Sequence, residues 1–275
     1  MKGKVAIHTM LRNGMTVLKS CYCTQPFKVL DITENKGKTE LHLMLMTASP
    51  GILDGDVYNM HIDVATGCAV QLQTQSYQRL FQMQQGASQT MEIQVAAGAS
   101  FCYLPHPVVP HRTSVFTSVN TIKLAVHARL LWGEVITCGR KINGETFTFS
   151  KYHARTQIYL QGRLVIQENI WLQPSQMDIN ALGQMEGYTH QASLIYLQEE
   201  IDVVTLKNDL YDWMLLQEGF CFGITALPVS GIMVRLLGYS AEKLYHCLQQ
   251  LAGLLPPHAP ISQHELLKKE GLYAN

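Results

Sequence analysis

The sequence predicts a mainly β fold, a many-stranded layered or β-helix-like sheet structure with two to three C-terminal α-helices. Apolar and polar residues alternate through most of positions 1–204, one stretch of that pattern returns 31 residues later, and helical periodicity appears only near the end. The 275 residues are 47% hydrophobic, ample for a sizeable core. No linker-like segment divides them, so 1–275 is one expected domain. It is β-rich over 1–204 and 220–238, with helices over about 205–218, 240–255 and 262–270.

Tyr58, Met60, Ile62 and Val64 alternate with Asn59, His61 and Asp63; Thr66-Gly67 offers a turn, and Val70 and Leu72 continue, which predicts a hairpin with one face buried. Met91, Ile93 and Val95 repeat the pattern, with a turn at Ala97-Gly98 before Phe101 and Tyr103. The echo of Ile62–Gly67 in Ile93–Gly98 suggests stacked layers. Further strands are expected at Thr121–Trp132, Phe147–Phe149, Thr156–Tyr159, Arg163–Trp171, Ala192–Leu197, Phe220–Leu227 and Ile232–Leu237, with turn signals at Asn143-Gly144 and Gln161-Gly162. Thr205 is placed as the cap of a helix with Leu206, Leu210, Trp213 and Met214 on one face. Ser240 caps a second, whose stripe of Leu244, Cys247, Leu248, Leu251 and Leu255 stops at Pro256-Pro257. Ser262 with Glu265 forms a capping-box pattern for a short third helix that Gly271 ends.

Lys plus Arg (21) equals Asp plus Glu (21), and charged residues make up 15% of the chain. That balance argues against disorder and against a nucleic-acid partner, which would call for basic excess. A surface so poor in charge predicts a protein partner covering part of it. Seven scattered cysteines without a CxxC pair, and an N-terminus without an apolar signal core, predict the reducing cytoplasm. The uncharged stretch Gly219–Val234 is broken by Gly223, Pro228 and Gly231, so no membrane span is expected.

Enzyme signatures are sparse. Gly37-Lys38-Thr39 lacks the upstream glycine of a phosphate-binding loop, since Ile32 stands there, and is read as a solvated turn. Around Ser230, Pro228 and Ile232 occupy the glycine positions of a nucleophile elbow. For metals, the candidate pairs are Cys21 with Cys23, which share a face of a strand, and His106 with His111; neither has further ligands nearby in sequence. Ser49–Asp56 fixes a tight bend that brings Asp54 and Asp56 to the start of a strand. They serve either as caps of turn amides or as an anionic mouth for a divalent cation.

Together these segments resemble the urease accessory protein family UreD, also called UreH. Ser49-Pro50-Gly51 leading to Gly55-Asp56 resembles its Pro-Gly…Gly-Asp loop. Thr74-Gln75 with Arg79 and Phe81 resembles its Thr-Gln…Lys-x-Tyr segment, and Leu104–Pro110 its Leu-Pro-x-Pro-x-x-Pro. Glu134, Gly139-Arg140 and Gly144-Glu145 resemble a Glu…Gly-Arg…Gly-Glu stretch, and Ala226-Leu227-Pro228 with Val234–Gly238 a late Ala-Leu-Pro…Val-Arg-x-Leu-Gly signature. Ile52 stands where a glycine often follows, Arg79 and Phe81 replace Lys and Tyr, and the tail after Pro257 matches poorly, so nothing is transferred onto it.

The resemblance implies a non-enzymatic urease maturation factor with a β-helix-like fold and a pair of helices. It implies a scaffold that binds UreF-like and UreG-like accessory proteins and docks on the urease apoprotein, with GTP bound only by the partner GTPase and nickel in transit rather than held. For such a conduit, which must bind weakly and in series, Asp56 is the first expected lining residue, followed by Asp54, Glu134 and Glu145. Thr74, Gln75, Arg79, Arg140 and Arg235 are structural or partner-contacting candidates. Two alternatives stay open: an interaction module without a nickel role, and a β-solenoid carbohydrate-active enzyme using Asp54 and Asp56 as its carboxylate pair.

Overall fold

A computed structural model describes residues 1–34 and 39–256. The strands are β1 (Lys2–Arg12), β2 (Met15–Cys23), β3 (Phe27–Asp31), β4 (Glu40–Thr47), β5 (Val57–Val64), β6 (Ala69–Thr74), β7 (Gln78–Leu80), β8 (Ala87–Val95), β9 (Ser100–Tyr103), β10 (Val108–Pro110), β11 (Val115–Leu124), β12 (Arg129–Thr137), β13 (Lys151–Leu160), β14 (Arg163–Leu172), β15 (His190–Leu197), β16 (Phe220–Ala226) and β17 (Gly231–Gly238). Helix α1 (Val203–Leu215) precedes β16, and α2 (Ala241–Leu254) follows β17. Over the described residues the protein is mainly β with two α-helices, as the sequence predicts.

The strands form two sheets, one ordered β14-β13-β11-β8-β5-β1-β2 and one ordered β16-β17-β15-β12-β9-β6-β4-β3. From β4 to β13 the main strands fall in the two sheets alternately, each pairing in parallel with the strand one coil away. That is a β-helix closed at its flanks by antiparallel strands. The expected hairpins are therefore arcs: β5 and β6 lie in different sheets, with Gly67 at positive φ in the turn between them. Alternation reports one buried face; it does not say which strand lies alongside.

The 31-residue echo is a coil repeat, with Ile62 paired to Ile93 in parallel register. The ladder continues from Ile7 through Ile62, Ile93, Ile122 and Ile158 to Ile166, all buried. At about 1.5–3 kcal/mol for each buried isoleucine, this row is a principal source of cohesion between coils.

Other expectations are corrected. Thr121–Trp132 is two strands in different sheets, β11 and β12, separated by a turn in which His127 has φ of 54°. Phe147–Phe149 is not a strand; Phe147 has φ of 53°, and Phe149 is buried in the core near Phe116 and Ile136. The cap of α1 is Asp202, whose Oδ1 accepts from the N–H groups of Val204 and Thr205 while Oδ2 accepts from the Thr205 hydroxyl. A carboxylate beside the helix N-terminus also interacts favourably with the dipole, which a hydroxyl does not. Ser240 caps α2 as expected. The expected third helix and most of the Gly37-Lys38-Thr39 turn lie outside the described residues.

Both helices pack on the outer face of the second sheet, over Leu131, Val135, Leu194 and Leu236. The gap between the sheets holds two further apolar clusters. One contains Met60, Ile62, Ile122, Trp132 and Ile158; the other contains Tyr58, Phe116, Ile136, Ala154 and Ile170. On β11, β12 and β13 the residues dividing those clusters are polar.

Candidate functional site: a polar passage between the sheets

Strand parity places Phe116, Ser118, Asn120 and Ile122 of β11 on the inward face, and Tyr152, Ala154, Thr156 and Ile158 of β13 beside them. Met60, Met91, Asn120, Thr156 and Glu168 form one continuous row across the first sheet. In the second sheet Glu134, Ser193 and Arg235 form a row with the same inward parity as Trp132, Ile195 and Met233. The two polar rows meet: Asn120 Nδ2 donates to Glu134 Oε1 at 3.3 Å and to Thr156 Oγ1 at 2.9 Å. Arg235 donates to both oxygens of Glu168 at 2.8 and 3.0 Å.

Three cavities follow this band. The first, of about 120 Å³, opens at the Ser49–Gly51 loop, Thr74, Gln75 and His106, and runs inward past Gln89, Ser118 and Asn120 to Glu134. A narrow waist of about 10 Å³ shares Glu134 and Tyr152 with it, and Gln191 and Ile170 with a third cavity at Glu168, Cys221 and Arg235. Gly51 makes the entrance possible, because a Cβ there would lie 2.4 Å from the Arg79 carbonyl oxygen. The loop is pinned by hydrogen bonds from Ile52 N–H to Arg79 O and from Phe81 N–H to Ile52 O.

Glu134 is enclosed by protein on all sides yet keeps some accessible surface, because that surface faces the cavity. Burial, and next the Glu168 carboxylate, push its pKa up to about 7. The phenols of Tyr152 and Tyr103 are raised by burial and by Glu134. At neutral pH the band thus holds a carboxyl poised between protonated and ionised, beside amide and hydroxyl oxygens. Such a set binds a cation weakly and releases it. Among the described residues no three His, Cys, Asp or Glu side chains converge into a closed metal site.

Of the residues expected from the sequence, Thr74, Gln75, Glu134 and Arg235 border this cavity system. Thr74 Oγ1 accepts from the His106 backbone N–H at 2.8 Å, fixing the entrance, and His106 stacks on Tyr245 of α2. Asp54 and Asp56 lie elsewhere. Asp54 Oδ1 accepts from the N–H groups of Gln85 and Gly86; the buried Asp56 accepts from Leu53 N–H and the Tyr58 hydroxyl at 2.8 Å each, and pairs with the N-terminal amine at 2.5 Å. Glu145 pairs with Arg140, and the hydrogen bonds from Arg140 and from the Arg112 N–H hold its pKa at about 2 against the opposing effect of burial. Arg79, Arg140 and His111 line a separate cleft on the surface, so His106 and His111 do not share a cavity. Cys21 and Cys23 lie 3.8 Å apart at their sulfurs on β2, the end strand of its sheet.

Sequence reasoning missed Gln89, Ser118, Asn120, Thr156 and Glu168. Their signal was present: each is a polar residue at an inward-parity position of a strand whose inward face also carries buried apolar residues.

A family model described as UreD urease accessory protein matches residues 1–266. A curated relative from Flavobacterium johnsoniae, named urease accessory protein UreD, is 41% identical over 252 residues, covering 91% of each chain. Relatives of the same name from Haemophilus influenzae and Actinobacillus pleuropneumoniae are 33% and 30% identical, covering 93% and 95% of this chain and 99% and 100% of theirs.

Proposed function

The chain belongs to the UreD family of urease accessory proteins, and from that premise we propose that it is a non-catalytic scaffold of urease maturation whose interior passes nickel toward the urease apoprotein. Family membership gives it a role in urease maturation, and implies interaction with urease and other accessory proteins. The finer reading is that it bridges the apoprotein to UreF-like and UreG-like partners in the cytoplasm. GTP is hydrolysed on the UreG-like partner, and this chain holds neither nucleotide nor a resident metal.

The observation that carries the passage is the polar band through an otherwise apolar gap. Desolvating polar groups between sheets costs stability, and a fold serving only as a scaffold would gain by filling the positions of Asn120, Thr156 and Glu134 with aliphatic side chains. Nickel as cargo suits the ligands on offer: it accepts carboxylate and amide oxygen, and an arriving cation favours ionised Glu134 and displaces its proton. Arg235 over Glu168 sets a positive charge at the far opening, which a moving cation must displace. The carboxylates of Asp54, Asp56 and Glu145 are assigned instead to holding loops.

The test is reconstitution of apo-urease with its accessory proteins, nickel and GTP, using this chain with Glu134→Gln. Complex assembly, read by co-elution, is expected to be unchanged, while nickel per urease active site falls several-fold. Full loading with an intact complex would remove the passage. Full loading with this chain omitted would remove the maturation role.

A further inference from the structure

The polar passage leaves a second concavity unused. A shallow cleft of about 590 Å³ is bounded by Arg79 of β7 and Phe81 just after it, by His111, by the Arg140–Asn143 turn, and by His190 and Tyr239. Arg140 is committed to Glu145. Arg79 forms no ion pair among the described residues, and Lys141 Nζ only rests 5.5 Å above the Tyr239 ring and 3.5 Å from its carbonyl oxygen. Two cations without carboxylate partners thus face one hollow of a chain with just 21 basic residues and zero net charge.

The two imidazoles of the cleft feel that field but, being neutral at pH 7, add no charge to it. The pKa values of His111 and His190 are lowered, first by burial, then by Arg140 at His111 and by Lys141 at His190. The floor is rigid: Gly139 has φ of 121°, and a Cβ on it would lie 2.9 Å from the carbonyl oxygens of Glu145 and Pro110. His111 is held against the Phe81 ring at 4.8 Å. The rim is apolar, with Ile142 fully exposed at its tip.

We propose that this cleft docks an acidic segment of a protein partner, carboxylates meeting Arg79 and Lys141 and flanking apolar side chains covering Ile142 and Phe81. The inference is independent of the nickel passage. A phosphate ligand fits less well. Ser240 already caps the α2 N-terminus toward the cleft, taking the Lys243 N–H that a phosphate at a helix N-terminus would use.

The probe is a fluorescein-labelled peptide of alternating Glu and Leu, with a Lys and Leu peptide as control, titrated into the full chain and followed by anisotropy. Saturable binding of the acidic peptide is expected, weakened roughly threefold by Arg79→Ala or Lys141→Ala, the scale of one partly exposed ion pair. Arg163→Ala, on the distant strand β14, should leave it unchanged. Both cleft residues are exposed, so the variants should keep the wild-type melting midpoint. The proposal is overturned by absent saturation, by equal binding of the Lys peptide, by an equal effect of Arg163→Ala, or by inorganic phosphate competing beyond what chloride does at matched ionic strength.

Discussion

Asn120 and Glu134 sit on different sheets, and the Asn120 amide donates to the Glu134 carboxylate at 3.3 Å across the gap between them. The same amide donates to Thr156, so one side chain ties a carboxyl of the second sheet to two neighbouring strands of the first. Asn120 occupies the row in which earlier coils place Met60 and Met91. The band begins where that row changes from thioether to amide.

Glu134 should make the protein less stable as pH rises. Its folded pKa, about 7, lies above the ordinary carboxyl value of 4.5, so its favourable contribution is complete below 4.5 and is lost as pH climbs through 7. The displacement corresponds to about 3 kcal/mol at most. Glu134→Gln keeps the oxygen that Asn120 donates to and removes the titration. The stability difference between variant and wild type, from urea midpoints, should be near zero at pH 4.5 and favour the variant by about 1–3 kcal/mol at pH 8. A difference flat across that range would show that the carboxyl is not desolvated.

His190 slopes the other way. Burial, then Lys141, lower its pKa to about 4, so its contribution is present above 6.5 and lost as pH falls toward 4. An NMR titration should find this imidazole still neutral at pH 5.5. Lys141→Ala should raise the value by a minor part of the displacement, because burial is the larger cause. A midpoint near 6.5 in wild type would mean that the ring is solvated.

The β class, the coil echo and the α2 cap were legible because each depends on local pattern: alternation, a repeated Ile-x-Val-Ala turn, a serine before an apolar stripe. Which strand pairs with which was not. Arcs and hairpins share one alternation, and sheet membership is settled by contacts a coil apart. For the site, Glu134 was singled out through its motif, whereas Glu168 acquires meaning only when β14 folds back on β13 and faces Arg235 of β17. Asp54 and Asp56 drew attention by composition, and the geometry spends their oxygens on backbone N–H groups, a phenol and an amine.

Gly51→Ala should force the entrance loop away from β7. Its Cβ would collide with a backbone carbonyl, at 2.4 Å from Arg79 O, and with the Phe81 ring at 2.9 Å. The loop must lift off β7 and break the Ile52–Leu80 bridge. A loss of about 2–3 kcal/mol in urea unfolding is expected. Faster amide exchange should be confined to the Ile52 and Phe81 N–H groups. An unchanged midpoint would show that this loop is not packed as described.

Asp56→Ala separates a structural from a transit role for the carboxylate that the sequence favours most. Removing it strands the buried Tyr58 hydroxyl and the partly buried Leu53 N–H, so stability should drop by about 1–3 kcal/mol. Asp56→Asn, which keeps one acceptor oxygen, should lose less. Nickel loading of urease should then follow the amount of folded complex and return to the wild-type level when the assay is run cold enough to fold the variant fully. If Asp56→Ala melts like wild type yet loads less nickel, the carboxylate meets the ion directly, and the capping assignment fails. Glu134→Gln is expected to give that second pattern, normal folding with poor loading, so the two variants measured side by side distinguish a wall of the passage from a brace of its entrance.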